Sequence, residues 1–448
     1  MPAQGPQRII LDCKGRGWTE EREVVCGDGP ADVPIQLDLG ANALEQCRVP
    51  SLSATPELRL HLSILFLTGN KLSSVPDVSM CPQLRIIGLA NNRIVSWSVG
   101  MLPTSMEWIM LTNNSLATLP ADLSSLCNLR KLAMSGNRLG SLGALRALDG
   151  TSPSLPKLEL VRFAGNALGA KEAAAVFRSL PNLAWVGISG QDGDAPSATA
   201  SASGLRTLTA EEYAEYRLGK CLGSGASGAV YELDSHAHLV AKVYKLHTRG
   251  ADGAPENEIR IQSRVGHGNI TRPFAVYGDS VLILERVDDA FAILSSVPSF
   301  DSVSRDAAVQ APPPSLEHAL HVAVQIADAV AYLHGMHICH GDVYGHNILV
   351  RYDAAASGTG TRAVLHDFGA AFEYEAPEQD LYETCDARAV LIVAEELLQS
   401  LGELNDSESG VRRSLLSSIA RFRTQATIPP DGIRDCLRDA LVSLGQGA

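Results

Sequence analysis

Four short stretches hold the residues whose types and spacing could do chemistry. CHGDVYGHNILV, from Cys339 to Val350, offers Asp342 and, five positions on, Asn347; LHDFGAA then supplies Asp367. Two carboxylates and an amide on neighbouring loops suit phosphoryl transfer, in which one oxygen orients the attacking hydroxyl and others hold magnesium. Upstream, KCLGSGASGAVYEL sets Gly223, Gly225 and Gly228 in a G-x-G-x-x-G-x-V run, and VAKVYK follows with Lys242. Residues without a Cβ let the backbone approach phosphates, and a lysine on the next strand can reach them.

Four motifs in this order resemble the eukaryotic-type protein kinase family, from about Tyr213 to the C-terminus. The resemblance implies an α+β bilobal fold, ATP and Mg2+ as cofactors, and a protein hydroxyl as phosphoryl acceptor. It makes Asp342 the catalytic group at the acceptor and Asn347 and Asp367 the metal ligands. Lys242 would grip the α- and β-phosphates, held by Glu258 of PENEIRIQSRVGHGNI, with Glu256 in reserve. Leu222, Gly223, Gly225, Gly228, Val230 and Ala241 would enclose the nucleotide. Leu284 would stand beside the adenine, with Glu285 to Val287 offering backbone hydrogen bonds to the base.

The elements that must position these groups are legible as patterns. SLEHALHVAVQIADAVAYLHGMHI, from Ser315 to Ile338, has helical apolar spacing and delivers the catalytic loop. His334, His337 and His340 lie close together in sequence and are read as structural rather than as metal ligands. Asp386 in ETCDARAV is expected as a buried acid on a central helix bracing that loop. After EELLQSL only short helical patterns remain, so the second lobe reads as abbreviated.

Three features depart from the resembled family. Gly341 stands where an arginine would meet a phosphorylated activation loop, and Tyr344 replaces a lysine that helps neutralise the γ-phosphate. EAPEQ, Glu375 to Gln379, follows Gly369 closely, so either the activation segment is very short or this APE is a chance match. These departures keep two alternatives open: a pseudokinase scaffold, and a small-molecule phosphotransferase of the aminoglycoside or choline kinase kind.

The first half repeats itself. LDLGANAL, LFLTGNKL, IGLANNRI, IMLTNNSL, LAMSGNRL and VRFAGNAL align on Asn42, Asn70, Asn92, Asn114, Asn137 and Asn166, and LAWVGISGQ is a degenerate seventh copy. This resembles an α/β leucine-rich-repeat solenoid. Each unit predicts a short strand, after which the asparagine turns the chain and bonds backbone groups of the neighbouring coil. On the concave face the pattern puts Ile64, Ile86, Trp108, Lys131, Leu160 and Trp185, and also Phe66, Gly88, Met110, Ala133, Arg162 and Gly187. Apolar side chains dominate a face that water should reach, which points to a protein partner there.

Four segments follow: an N-terminal cap segment over 1–32, repeats over 33–190, a flexible linker over 191–210, and a kinase-like domain over 211–448. GQDGDAPSATASASG, Gly190 to Gly204, has the composition of a tether, and TLTAEEYAEY begins a capped turn. Of the 448 residues, Met1 to Glu212 carry 18 basic and 19 acidic, and Tyr213 to Ala448 carry 19 and 31. That acidic second half argues against nucleic acid. The absence of a long apolar run argues against a membrane span or secretory signal. Nine cysteines without a C-x-x-C pair fit reduced thiols and a cytoplasmic location, Cys13 and Cys26 being the pair to form if the chain were exported.

Overall fold

The computed structural model describes residues 8–19, 33–46, 56–146, 155–190, 205–225, 228–245, 252–353, 360–425, 427–428 and 430–445. The tether at 191–204, Cys26, most of the 1–32 segment, and Ala226 and Ser227 of the glycine run lie outside these residues. The chain forms two compact units. One comprises Met1–Asn182 and Phe300–Ser304, the other Leu183–Ser299 and Arg305–Ala448.

In the first unit, strands β1 (Ile9–Asp12), β2 (Ile35–Asp38), β3 (Leu62–Phe66), β4 (Ile86–Gly88), β5 (Trp108–Met110), β6 (Lys131–Ala133) and β7 (Leu160–Arg162) pair in parallel, each with its successor in the chain. Among the described residues, helix α1 (Pro56–His61) and three single 3-10 turns lie between them, and α2 (Ala170–Phe177) follows β7. The residues paired in register along the ladder, Leu65, Ile87, Ile109, Leu132 and Val161, are essentially inaccessible to water. Strands this short cannot satisfy the turns between them, and asparagine does so. Asn70 Nδ2 donates to the carbonyls of Leu39 and Leu67, both at 3.0 Å, and its Oδ1 accepts from Leu44 N–H at 3.1 Å. Asn92, Asn114, Asn137 and Asn166 repeat the pattern one coil further each time. Removing one would strand buried backbone groups at about 1–3 kcal/mol.

Two features of this unit differ from the sequence reading. The N-terminal segment is not only a cap: β1 adds a strand, and Asn42 ties it in by donating to Cys13 and accepting from Trp18 N–H. The strand face read as open to water is also largely covered. Ile64, Ile86, Leu160, Ala133 and Arg162 are buried, and Phe66, Trp108, Met110 and Lys131 are only partly exposed. Phe300 packs on Phe66 at 5.4 Å and on Trp108 at 6.3 Å between ring centroids, and Lys131 Nζ stands 4.1 Å over the Trp108 ring. Arg8 and Arg85 pair with Asp301, and Ser304 donates to Glu159. Aromatic side chains from distant sequence thus shield one another, which the repeat pattern alone does not encode.

The second unit opens with β8 (Trp185–Gly187), β9 (Arg206–Thr207) and α3 (Ala210–Ala214). The expected capped turn is present: Thr209 and Glu212 accept each other's backbone N–H. A twisted sheet follows, of β10 (Leu218–Ser224), β11 (Gly228–Leu233), β12 (Leu239–Tyr244), β13 (Pro273–Tyr277) and β14 (Val281–Glu285), in the order β10-β11-β12-β14-β13-β9. Helix α4 (Pro255–Gln262) starts with proline at its first position.

Strands β15 (Ala292–Ile293), β16 (Ser295–Pro298) and β17 (Asp306–Val309) lead to the helical lobe. There α5 (Leu316–His334), capped by Ser315, packs on α6 (Gln379–Ser400) and α8 (Pro430–Gly445), with α7 (Asp406–Arg423) against α6 and α8. Most of α6 is buried, because it is the helix the others surround. No described helix is long and apolar enough to cross a membrane.

Candidate functional site

The site is built from the loop after β18 (Ile338–Cys339), the hairpin of β19 (Ile348–Arg351) and β20 (Arg362–Leu365), and the inner face of the sheet. Alternation along β12 decides which side chains face inward. Val240 and Tyr244 share a buried cluster with Ile259 of α4, Leu282 and Leu284, against which Val230 packs; Lys242 lies on that same face. Ala241 points the other way, into the cluster of Leu233, Leu239 and Ile283. Ala241, expected to line the nucleotide, therefore faces away from Lys242, and Val240 is the neighbour on the Lys242 face, a residue that period-two counting from Lys242 would have found.

Lys242 Nζ forms an ion pair with Glu258, which is 1% exposed, and reaches Asp367 Oδ1 at 3.1 Å. Burial works against the lysine's charge, but the two carboxylates outweigh it and hold the ammonium above its ordinary range. The Asp367 side chain is 44% exposed; desolvation by its neighbours still works against its charge, but Lys242 outweighs it and keeps that carboxyl ionised well below its usual range. Glu256 is exposed, so Glu258 is the partner. Asp367 sits at φ 65, a left-handed conformation that aspartate tolerates better than most residues and that aims its carboxylate at Lys242.

The loop is held just as closely. Asn347 Nδ2 donates to both the carbonyl and the Oδ2 of Asp342 at 2.9 Å, so the amide nitrogen is committed and its oxygen is the atom left for a cation. Asp386, buried on α6, accepts from His340 N–H at 2.8 Å and Gly341 N–H at 2.9 Å, the bracing expected from the sequence. Burial opposes its charge; His334, whose Nε2 lies 3.1 Å away, leads the interactions that win and keep it ionised. His340 packs edge-on against Phe368 at 4.9 Å, and burial shifts its imidazole below the ordinary range. His366 is pushed down to about 4, burial again being the main cause.

The glycines divide by role. A Cβ on Gly228 would meet the Val243 carbonyl oxygen at 2.4 Å, so this glycine admits β12. Gly223 and Gly225 have nothing within 4 Å of that position, which leaves room for a phosphate. Leu222 is exposed at the end of β10, Leu284 is buried beside Val240, and Glu285 to Val287 continue from β14 toward the helical lobe.

Residues 216–403 match the model of the protein kinase domain, and residues 82–139 match a leucine-rich repeat. The chain carries both domains. An Aurora kinase of Dictyostelium discoideum is 31% identical over 166 residues, covering 35% of this chain and 38% of that protein. A probable receptor-like protein kinase of Arabidopsis thaliana is 24% identical over 241 residues, covering 49% and 35%. The serine/threonine-protein kinase DCLK1 of Rattus norvegicus is 26% identical over 218 residues, covering 47% and 46%. The chain thus spans less than half the length of these curated relatives.

Proposed function

We propose that this chain is an ATP- and Mg2+-dependent protein kinase of the serine/threonine kind, with repeats that engage a protein partner. The observation that carries the reading is the single constellation of Lys242 between Glu258 and Asp367, with Asn347 locked onto Asp342. The donor set fits the cofactors: the Asp367 carboxylate and the Asn347 amide oxygen are hard ligands suited to magnesium, and Lys242 is a fixed cation where phosphates would lie. Magnesium-bound ATP would supply the transferable phosphoryl group. Asp342 orients the acceptor hydroxyl, Lys242 grips phosphate oxygens, and Glu258 keeps Lys242 extended.

On the repeats, the proposal is a solenoid over 33–190 joined to a kinase domain over 211–448, acting on protein in the cytoplasm. A partner seated on the strand face would compete with Phe300 for Phe66 and Trp108. Tyr344 favours a second reading, a nucleotide-binding pseudokinase, because it is buried and brings no cation to the γ-phosphate. The test is transfer from radiolabelled ATP by the purified full chain, with Mg2+, to itself and to a peptide library. Transfer to serine or threonine supports the proposal. Nucleotide binding without transfer would favour the pseudokinase, and transfer only to small alcohols a small-molecule phosphotransferase.

A further inference from the structure

The two substitutions in the catalytic loop, Gly341 and Tyr344, share one neighbour: the segment Leu183–Val186. Trp185 is fully buried, its Nε1 donates to the Val343 carbonyl at 2.9 Å, and its indole lies flat on the Tyr344 ring, with centroids 4.2 Å apart and planes 5° from parallel. Gly341 adopts φ +69, and a Cβ there would stand 2.2 Å from the Val186 carbonyl oxygen. Any side chain at 341 is excluded twice, by the backbone conformation and by this strand. The segment is itself anchored, since Arg388 on α6 donates to the Leu183 carbonyl at 3.0 Å and to the Gln425 carbonyl at 2.9 Å.

We propose that Trp185 is a positioning residue for the catalytic loop, and that β8 takes over the loop-ordering work assigned in the resembled family to an arginine at 341. The inference rests on the kinase reading above. Asp342 lies between Gly341, whose N–H is held by Asp386 from α6, and Val343, whose carbonyl is held by Trp185 from β8. Clamped on both flanks, the aspartate keeps one orientation without a phosphorylated activation loop. The missing arginine is then a condition of the close approach of Val186, and the tyrosine is the surface on which the indole stacks. This also overturns the expectation that Trp185 is an open partner-binding side chain.

The test uses the full chain carrying Trp185→Ala or Trp185→Phe. Trp185→Ala is expected to lower kcat by about a hundredfold while the affinity for Mg2+-ATP, set by Lys242 and the sheet, stays unchanged. Trp185→Phe keeps a ring on Tyr344 and is expected to recover part of that loss. Normal kcat in a folded Trp185→Ala chain, or equal loss of kcat and nucleotide affinity, overturns the proposal. Amide hydrogen exchange at Gly341 to Val343 reads the brace independently of turnover. Exchange there should rise about tenfold in Trp185→Phe, which also serves if Trp185→Ala does not fold, and unchanged exchange overturns the brace. An inactive wild-type chain that shows the exchange effect would discard the kinase reading but keep the brace.

Discussion

The Tyr374 hydroxyl donates to the Glu383 carboxylate at 3.0 Å, and this bond closes the segment between Gly369 and Ala376. Tyr374 is the only hydroxyl in that stretch, it is buried, and burial together with Glu383 raises its phenol well above the ordinary range. The neighbouring strand residue Glu373 pairs with Arg260 in the last turn of α4, the helix that carries Glu258, and with Arg264 just past it. A fixed carboxylate thus ties the segment to the helix, a place where kinases can use a phosphate. Phosphatase treatment of the full chain is therefore expected to leave its turnover unchanged, and Tyr374→Phe to remain active with stability lowered by about 1 kcal/mol. A marked loss of activity on dephosphorylation would sink the idea.

The position of Lys242 separates two variants of the proposed site. Lys242→Met leaves Glu258 buried with no cation, and breaking a buried pair from one side costs about 3–5 kcal/mol. Asp367→Asn removes the proposed metal ligand, whose side chain is 44% exposed, so the fold is expected to hold. Both should abolish Mg2+-dependent transfer, with only Lys242→Met lowering Tm substantially. Equal melting temperatures for the two, or retained turnover in Asp367→Asn, would contradict the assignment.

Much of this arrangement was legible because it is written in local spacing. The asparagines recur at each coil and each reaches back one coil, and the order Lys242, Glu258, Asp342, Asn347, Asp367 carried the site. What sequence spacing could not reveal depends on contacts between distant segments. Nothing near Ser299 announces that Phe300 meets Phe66, and nothing in LAWVGISG announces that its tryptophan stacks on Tyr344. Ala241 is a different case: strand alternation alone places it on the face opposite Lys242 and puts Val240 on the same face.

Trp108 and Phe300 offer a measurable coupling inside the first unit. Either alanine substitution should destabilise the chain, and the double variant should lose about 0.5–1.5 kcal/mol less than the sum, the aromatic contact having been counted twice. Urea unfolding of the four proteins supplies the cycle. Strict additivity would mean that the rings do not support each other. Partner capture by Phe300→Ala, if stronger than by wild type, would show that Phe300 shields the strand face from ligands.

Glu396 gives the second unit a pH signature. It sits half-buried on α6, and burial first, then the neighbouring Asp306, pushes its carboxyl up from 4.5 to about 8. The folded chain therefore holds this proton between about pH 4.5 and 8 while the unfolded chain releases it, so N binds more protons than U and stability falls as pH rises through that window. Below about pH 4.5 the contribution is fully present, and above about 8 it is gone. Glu396→Gln keeps the shape and the neutral state at every pH, so its Tm should match wild type near the acid end and exceed it increasingly toward pH 8. Melting curves of both proteins across that range decide the matter: parallel Tm profiles would mean that Glu396 ionises as readily in the folded chain as in the unfolded one.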